Sequence, residues 1–303
     1  MLEVNVLSPQ LSELLSPDTD LEQIATGFRF TEGPLWDPRT DSLLFSDIPA
    51  GRIYRWTDGQ DVSVFCELSG KSNGLTWDTG GQLLACEHLN RQVSRRLENG
   101  HVVPVATHFQ GKRLNSPNDL LMRSDGTLYF SDPPYGIQSA DMGSIAEQEQ
   151  PLNGFYLLRP GATEPELARS DFERPNGLAF SPGERRLYVA DTPRYQVRVF
   201  DVAEDGSLSG GEVFAQFSEA DGVGRPDGMK VDEAGNLYTT GPGGLWIIAP
   251  SGTLLGHLRF PEKTSNCAWG DADRRSLFVT ASTSVYRLRT EIPGLVPPGR
   301  WTR

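Results

Sequence analysis

The chain alternates short apolar runs with polar turns, and this pattern recurs six times. Each repeat opens on a polar residue, usually followed by glycine, and continues into an apolar strand, a turn and a second apolar strand. We call the opening polar residues the anchors: Glu32, Asn73, Asn118, Asn176, Asp227 and Asn266. The second strands read LLFSD (43–47), LLACE (83–87), LYFSD (128–132), LYVAD (187–191), LYTTG (237–241) and LFVTA (277–281). Alternation with a period of two predicts β-strands throughout.

The spacing of the anchors predicts how these strands are organised. Successive anchors are 41, 45, 58, 51 and 39 residues apart, which leaves room for four strands per repeat. A period in the forties with several strands per repeat is typical of a β-propeller. We therefore predict an all-β fold, a six-bladed β-propeller with four-stranded antiparallel blades around a central channel. A β-sandwich with coincidental Asn-Gly turns is the alternative.

We expect a single propeller domain over residues 1–303, with the blades at roughly 24–290. The segment 21–27 is expected to complete the last blade, which would cover an exposed edge. The tails, 1–19 and 291–303, are expected to be irregular. The stretch 135–152 widens the third interval to 58 residues, and both a functional loop and a tolerated surface insertion remain open for it.

Composition excludes several classes of protein. A net charge of −12 disfavours nucleic acid and anionic membranes as partners. A hydrophobic fraction of 37% is too high for a disordered chain, and no apolar run is long enough for a transmembrane helix. The N-terminus lacks the basic start of a signal peptide. The three cysteines, Cys66, Cys86 and Cys267, are an odd number in apolar runs, which predicts free buried thiols and a cytoplasmic location.

The anchors carry the candidate chemistry. In a propeller, equivalent positions of the innermost strands converge on the axis, so two carboxylates and four amides would share a small volume. Two carboxylates held close together repel each other, and a bound cation relieves this. All the donors are oxygens, which suits Ca²⁺ or Mg²⁺, and the absence of histidine at any anchor disfavours zinc. Asn and Asp before Gly are also ordinary turn residues, so Glu32 and Asp227 carry most of the specificity.

An oxygen-ligated divalent ion in a channel is suited to hydrolysis of an ester, lactone or phosphoester. Such an ion can polarise a carbonyl or phosphoryl oxygen, and a neighbouring carboxylate can accept a proton. The sequence contains neither a G-x-S-x-G elbow nor a P-loop lysine motif.

Five motifs carry a resemblance to a known family. They are FTEGPLW (30–36), SPNDL (116–120), YFSDPPYG (129–136), RPNGLAFSP (174–182) and RPDGM (225–229). Over about residues 24–289 the chain resembles the gluconolactonase / senescence marker protein (regucalcin) family, and its DPPYG form is similar to the bacterial gluconolactonase branch.

The resemblance implies a six-bladed propeller with one divalent cation at the channel mouth. The oxygen donors favour Ca²⁺ for this cation, and Mg²⁺, Mn²⁺ and Zn²⁺ remain open. The resemblance also implies metal ligands at Glu32, Asn176 and Asp227. Asn118 would lie beside or on the metal and contact the substrate. Asp227 would also accept the proton of the attacking water, although a role as ligand alone remains open.

One position departs from the family pattern. Animal members have an arginine two residues before the equivalent of Asn118, where it contacts the substrate, and this chain has Ser116. We therefore consider Ser116, Arg113, His88 and the 135–152 insertion as candidate substrate contacts. For His88 the alternative is a histidine whose hydrogen bonds are satisfied at a strand end. Asn73 and Asn266 are expected to line the channel without touching the metal.

These inferences predict a metal-dependent hydrolase that opens a sugar lactone such as D-glucono-1,5-lactone to the aldonic acid. The expected partner is a small-molecule lactone, with no nucleic acid, membrane or obligate protein partner. Alternatives are a hydrolase of the same fold acting on another lactone or a phosphotriester, and a non-enzymatic calcium-binding propeller.

Overall fold

The computed structural model describes residues 2–295, and within them nearly all regular structure is β-strand. Two strands precede the blades, β1 (Glu3–Val6) and β2 (Glu22–Thr26). Blade 1 contains β3 (Thr31–Asp37), β4 (Ser42–Asp47), β5 (Arg52–Thr57) and β6 (Ser63–Cys66). Blade 2 contains β7 (Ser72–Trp77), β8 (Leu83–Glu87), β9 (Gln92–Arg96) and β10 (Val102–Ala106), followed by a small hairpin of β11 (His108–Phe109) and β12 (Lys112–Arg113).

The remaining blades follow the same order. Blade 3 contains β13 (Leu120–Met122), β14 (Leu128–Asp132), β15 (Gly154–Leu158) and β16 (Glu166–Arg169). Blade 4 contains β17 (Pro175–Phe180), β18 (Arg186–Asp191), β19 (Gln196–Val202) and β20 (Leu208–Gln216). Blade 5 contains β21 (Met229–Val231), β22 (Leu237–Gly241), β23 (Gly244–Ile248) and β24 (Leu254–Arg259). Blade 6 contains β25 (Thr264–Gly270), β26 (Ser276–Ala281) and β27 (Ser284–Arg289), with β2 as its outer strand.

The six sheets form a ring, which confirms the predicted six-bladed propeller. All strand pairs within the blades are antiparallel, and the first strands of successive blades contact one another around the channel, with β25 contacting β3. Each second strand has both faces covered by neighbouring blades. This explains why LLFSD and its equivalents are nearly continuous apolar runs, whereas an outer strand such as β16 is half-exposed.

The hydrophobic core is divided among the blade interfaces. Among residues 2–295 there are six buried clusters, one between each pair of adjacent blades. Between blades 6 and 1, the rings of Trp36 and Phe278 stack with centroids 5.4 Å apart. Between blades 5 and 6, Tyr238 meets Trp269 edge-on at 5.0 Å. Such aromatic pairs add to the stabilisation from buried area and fix the blades relative to one another.

The N-terminal segment contributes to two blades. Strand β2 pairs with β27 and so completes blade 6. The expectation of an irregular stretch at 1–19 is wrong for its described part, because β1 pairs with β24 as a fifth strand of blade 5, and a 3₁₀ helix spans Pro9–Glu13. The physical reason is apolar burial, since Leu11 and Leu14 are each only 3% exposed and pack against blade 5. Of the 291–303 tail, residues 296–303 lie outside the described residues.

The other short elements lie in connections. They are α1 (Tyr135–Gln138), inside the 135–152 insertion, and 3₁₀ helices at Pro182–Glu184, Thr192–Arg194 and Glu219–Asp221. The three cysteines are free, and Cys86 and Cys267 are buried as expected, but Cys66 is only half-buried on an outer strand. Within residues 2–295, no helix has the length and apolar character needed to cross a membrane.

Candidate active site

The anchors meet because the inner strands crowd together at one end of the channel. A Cβ added to Gly177 would lie 2.1 Å from the carbonyl oxygen of Asp227 on the next blade. Only glycine allows so close an approach, which explains the glycine after most anchors. The resulting cavity has a volume of about 440 Å³, and five anchors line it: Glu32, Asn73, Asn118, Asn176 and Asp227. The sixth, Asn266, is buried and contacts Glu32.

Glu32 is a buried carboxylate that accepts two hydrogen bonds. Its Oε2 accepts the backbone N–H of Gly33 at 2.7 Å and the side-chain amide of Asn266 at 3.0 Å. Burial raises the pKa of Glu32 well above its ordinary value, and the negative charges of Asp227 and Asp119 raise it further. The two hydrogen bonds lower this pKa without compensating the burial. Glu32 is therefore costly to ionise in this site unless a positive charge is nearby.

Asp227 faces the cavity and is half-buried. Burial raises the pKa of Asp227 to about 7, and the negative charge of Asp119 acts in the same direction. The ammonium group of Lys263 and a hydrogen bond from Asn176 oppose this shift. A carboxylate with a pKa close to the ambient pH is suited to accepting and releasing a proton.

A third carboxylate, Asp119, was missed by the sequence analysis. Its Oδ1 accepts its neighbour Leu120's backbone N–H at 2.9 Å, and its Oδ2 accepts the Asn266 amide at 3.4 Å. Burial raises the pKa of Asp119. The signal was present in the sequence, because Asp119 occupies the position after the third anchor where most other repeats have glycine.

The residues at the floor of the cavity fit a divalent cation. Within residues 2–295, no three His, Cys, Asp or Glu side chains are grouped so as to hold a metal ion alone. A cation here would therefore need an amide oxygen beside the carboxylates. The Oδ1 of Asn176 is buried and has no hydrogen-bond partner among the described residues, while its Nδ2 donates to Thr192 Oγ1 at 3.0 Å. An unsatisfied buried amide oxygen beside two carboxylates is an oxygen donor set suited to Ca²⁺.

The 135–152 insertion forms a wall of the cavity. Its residues Tyr135, Gln138, Ser139 and Met142 line the space above the anchors. Lys71 Nζ donates to the carbonyl oxygens of Ala140 and Asp141, at 2.6 and 2.8 Å. The insertion is thus attached to blade 2 as well as to its own blade.

His88 lines the cavity but is fully buried, and its ring lies between an anchor and the insertion. Nδ1 donates to the Met142 carbonyl oxygen at 3.1 Å, which leaves Nε2 to accept from the Asn73 amide at 3.4 Å. Burial lowers the pKa of His88 to about 4. The imidazole is therefore neutral at physiological pH and positions the insertion.

Ser116 and Arg113 do not line the cavity. Ser116 is buried; its hydroxyl donates to the Pro133 carbonyl oxygen at 2.6 Å and accepts the Gly136 N–H at 2.8 Å. Arg113 is exposed; its guanidinium donates to the Asn90 carbonyl oxygen and its backbone N–H to Glu149. Both residues hold the base of the insertion.

Three cationic residues that the sequence analysis did not single out also line the cavity: Arg174, Arg225 and Lys263. The two arginines stand two residues before the anchors Asn176 and Asp227, inside motifs already quoted. The backbone of Arg174 is held in place by Asp191. The Asp191 carboxylate accepts hydrogen bonds from the backbone N–H groups of Glu173 and Arg174, each at 3.0 Å.

The opposite end of the channel holds a separate cavity of about 220 Å³. Its lining is mainly apolar and includes Leu35, Met122 and Trp269, with Glu184 and Lys230 as the charged residues. It lacks the converging carboxylates and amides, so we assign the candidate chemistry to the anchor end.

Comparisons with known proteins give the family and the relatives to which this chain is similar. The family model described as the SMP-30/Gluconolactonase/LRE-like region matches residues 30–283. A gluconolactonase from Zymomonas mobilis is 33% identical, covering 96% of this chain and 87% of the relative. A pentonolactonase from Haloferax volcanii is 28% identical, and the match covers 86% of this chain and 84% of the relative. The structure of a gluconolactonase from Xanthomonas campestris superposes with a TM-score of 0.88 at 31% identity, covering 95% of each chain.

Proposed function

Because this chain belongs to the SMP-30/gluconolactonase/LRE-like family, whose similar relatives are named as lactonases, we propose that it hydrolyses a sugar lactone, such as D-glucono-1,5-lactone, to the aldonic acid. The observation that carries the proposal is the convergence of Glu32, Asn176 and Asp227 on the floor of one cavity. A cavity of about 440 Å³ is within the size range of small-molecule sites.

We propose that Glu32, Asn176 and Asp227 hold one divalent cation, with Ca²⁺ favoured. The raised pKa values of both carboxylates support this, because a neighbouring cation would stabilise their ionised forms. The free Oδ1 of Asn176 supports an amide ligand. When bound, such an ion polarises the carbonyl group of the lactone.

The protein residues then supply positioning and proton transfer. Asp227 accepts a proton from the attacking water as the water oxygen bonds to the carbonyl carbon. The acyl C–O bond of the ring breaks, and the ring oxygen leaves as an alkoxide that takes up the proton held by Asp227 and becomes a hydroxyl group, so that water is added across the ester. Burial raises the pKa of Asp227 to about 7, and a bound cation would oppose this shift and keep the carboxylate ionised, which is the form that accepts a proton.

Substrate contacts come from Asn118 and from the insertion, which both line the cavity. Ser116, His88 and Arg113 act indirectly in this proposal, because each is hydrogen-bonded to the insertion or its base. Their role is to keep the cavity wall in place and water access limited.

The test is hydrolysis of a lactone panel by chelated protein before and after addition of Ca²⁺, Mg²⁺, Mn²⁺ or Zn²⁺. We expect activity only after metal is restored, and a loss of more than 100-fold in Asp227→Asn. Glu98→Gln is the matched control, because Glu98 is exposed on a turn of blade 2. Full activity in chelated protein would contradict the metal requirement. Calcium binding without hydrolysis of any lactone or phosphotriester would favour the calcium-binding alternative.

A further inference from the structure

The cavity has a cationic rim above its acidic floor. Arg225 and Lys263 are exposed and Arg174 is half-buried, whereas Glu32 and Asp119 are 2% and 5% exposed. The three cations lie in the connections that lead into blades 4, 5 and 6, so they occupy one side of the opening.

The repeat explains why two of these cations are neighbours. Residues two positions before an anchor lie at equivalent places around the mouth, and in blades 4 and 5 they are Arg174 and Arg225. The equivalent position in blade 3 is Ser116, which is buried. Its hydroxyl group is hydrogen-bonded to Pro133 and to Gly136 of the insertion. Cationic groups are thus present on blades 4 and 5 at the position where blade 3 has none.

No carboxylate among the described residues pairs directly with a rim cation, although the charge of Lys263 lowers the pKa of Asp227. Among the described residues none of the three forms an ion pair, whereas Arg194, on the same face, has the carboxylate of Asp191 at 2.9 Å. Unpaired cations converging on one cavity are unusual in a chain with a net charge of −12.

Aromatic rings hold the three cationic groups in place. The Arg174 guanidinium lies over Tyr135, 5.3 Å from the ring centroid, and that of Arg225 lies over Tyr195 at 4.7 Å. Lys263 Nζ lies 5.8 Å from the ring of Phe30. Contact with a ring face restrains a guanidinium while leaving its N–H donors available.

From this arrangement we propose that the natural substrate is a lactone with an anionic substituent, such as a carboxylate, phosphate or sulfonate, bound by Arg174, Arg225 and Lys263. The inference rests on the proposed lactonase function and specifies its substrate class. The lactone carbonyl lies over the acidic floor, and the anionic group at the far end of the substrate lies at the rim. Planar guanidinium groups match such oxyanions with paired hydrogen bonds.

A purely structural role for the cations makes a different prediction. If the rim cations only balance the charges of Glu32, Asp119 and Asp227, then replacing one of them lowers kcat/KM for neutral and anionic lactones by the same factor. If they bind substrate, the loss is concentrated on the anionic lactone.

The experiment compares kcat/KM for D-glucono-1,5-lactone, its 6-phosphate, and a glucarolactone with a free carboxylate. We expect wild type to prefer at least one anionic lactone by tenfold or more. Arg174→Gln and Arg225→Gln should each lower kcat/KM for that substrate by about 10- to 100-fold, as expected for a charged hydrogen bond. The loss on the neutral lactone should be less than about threefold. Arg185→Gln is the matched control, since Arg185 is exposed at the opposite end of β17 and forms no ion pair within residues 2–295.

Four outcomes overturn the inference. A wild-type preference for the neutral lactone, or equal losses on both kinds of substrate, rejects it and leaves the lactonase function intact. Failure to hydrolyse any lactone with any metal removes the proposed function, and the inference with it. If the arginine variants do not fold, inhibition of wild type is decisive: 6-phosphogluconate should inhibit hydrolysis of the neutral lactone at least tenfold more tightly than gluconate, and equal inhibition rejects the inference.

Discussion

The Nδ1 atom of His88 and the carbonyl oxygen of Met142 lie 3.1 Å apart, and this hydrogen bond joins blade 2 to the insertion of blade 3. The second ring nitrogen faces the amide of Asn73. One buried, neutral imidazole therefore connects an anchor residue to the wall of the cavity. We therefore expect a change to this ring to affect substrate binding through the insertion.

Replacing His88 with Phe tests this connection. The variant keeps an aromatic ring but leaves the Met142 carbonyl oxygen without its donor, so we expect unfolding free energy to fall by about 2 kcal/mol. KM should rise several-fold, and protease cleavage within 139–148 should accelerate. His101→Phe, at an exposed turn, is the control. An unchanged KM and cleavage rate in His88→Phe would show that the hydrogen bond does not hold the insertion.

Asp132 predicts a pH dependence of stability. Burial raises the pKa of Asp132 to about 7, even though the carboxylate accepts the Asn115 N–H at 2.7 Å. The folded protein therefore keeps a proton that the unfolded chain releases near pH 4, and stability from this group is lost as pH rises from about 4 to about 7. Asp132→Asn should make the decline of stability with pH less steep, as measured by urea unfolding at pH 4.5, 6 and 7.5, and the raised pKa values of Glu32, Asp119 and Asp227 account for the slope that remains. Parallel pH profiles for wild type and variant would contradict the assignment.

Asp119 is expected to act on the cation site by its charge. Asp119→Asn keeps the shape of the side chain but removes a negative charge that raises the pKa values of Glu32 and Asp227. We expect Ca²⁺ affinity, measured by calorimetry, to fall about tenfold, because electrostatic attraction is strong in a buried site. The Ca²⁺ affinity of Asp227→Asn should fall by far more than tenfold. A loss in Asp119→Asn equal to that in Asp227→Asn would instead make Asp119 a direct ligand.

Gly177 tests the close packing that brings the anchors together. In Gly177→Ala the new methyl group would lie 2.1 Å from the Asp227 carbonyl oxygen, so the strands must separate. We expect unfolding free energy to fall by about 2 kcal/mol or more and cation affinity to fall with it. Gly161→Ala is the control, because its Cβ would meet nothing within 4 Å. Its positive φ of 77° should cost about 1 kcal/mol without changing affinity. Normal cation binding in Gly177→Ala would contradict the packing argument.

The fold could be predicted because the sequence itself is repetitive. Six anchors and six buried second strands occur in phase, and a ring of blades is the architecture that buries each second strand on both faces. The N-terminal stretch was harder to predict, because Leu11 and Leu14 show no strand pattern of their own. Their burial depends on the surface of blade 5, which local sequence does not reveal.

Only part of the candidate site could be predicted from the sequence. Equivalent anchor positions could be placed on one axis without knowing any distances. The hydrogen-bond partners of Ser116 and His88 could not be predicted from spacing, because Gly136 and Met142 belong to an insertion whose path depends on tertiary contacts. Asp119 could not be placed in the site from the sequence, because its burial and its contact with Asn266 of the last blade depend on closure of the ring.

The seam between β2 and β27 has a consequence for the kinetics of folding. Arg287 pairs with Glu22, which is 265 residues away in sequence, and the Asn266 amide reaches Glu32 across 234 residues. Such distant contacts carry a large loop-closure entropy and form slowly. Glu32 comes from the first blade and its partner from the last, so the candidate site assembles late. A nascent chain on the ribosome therefore gains a working site only after nearly all of its blades have emerged.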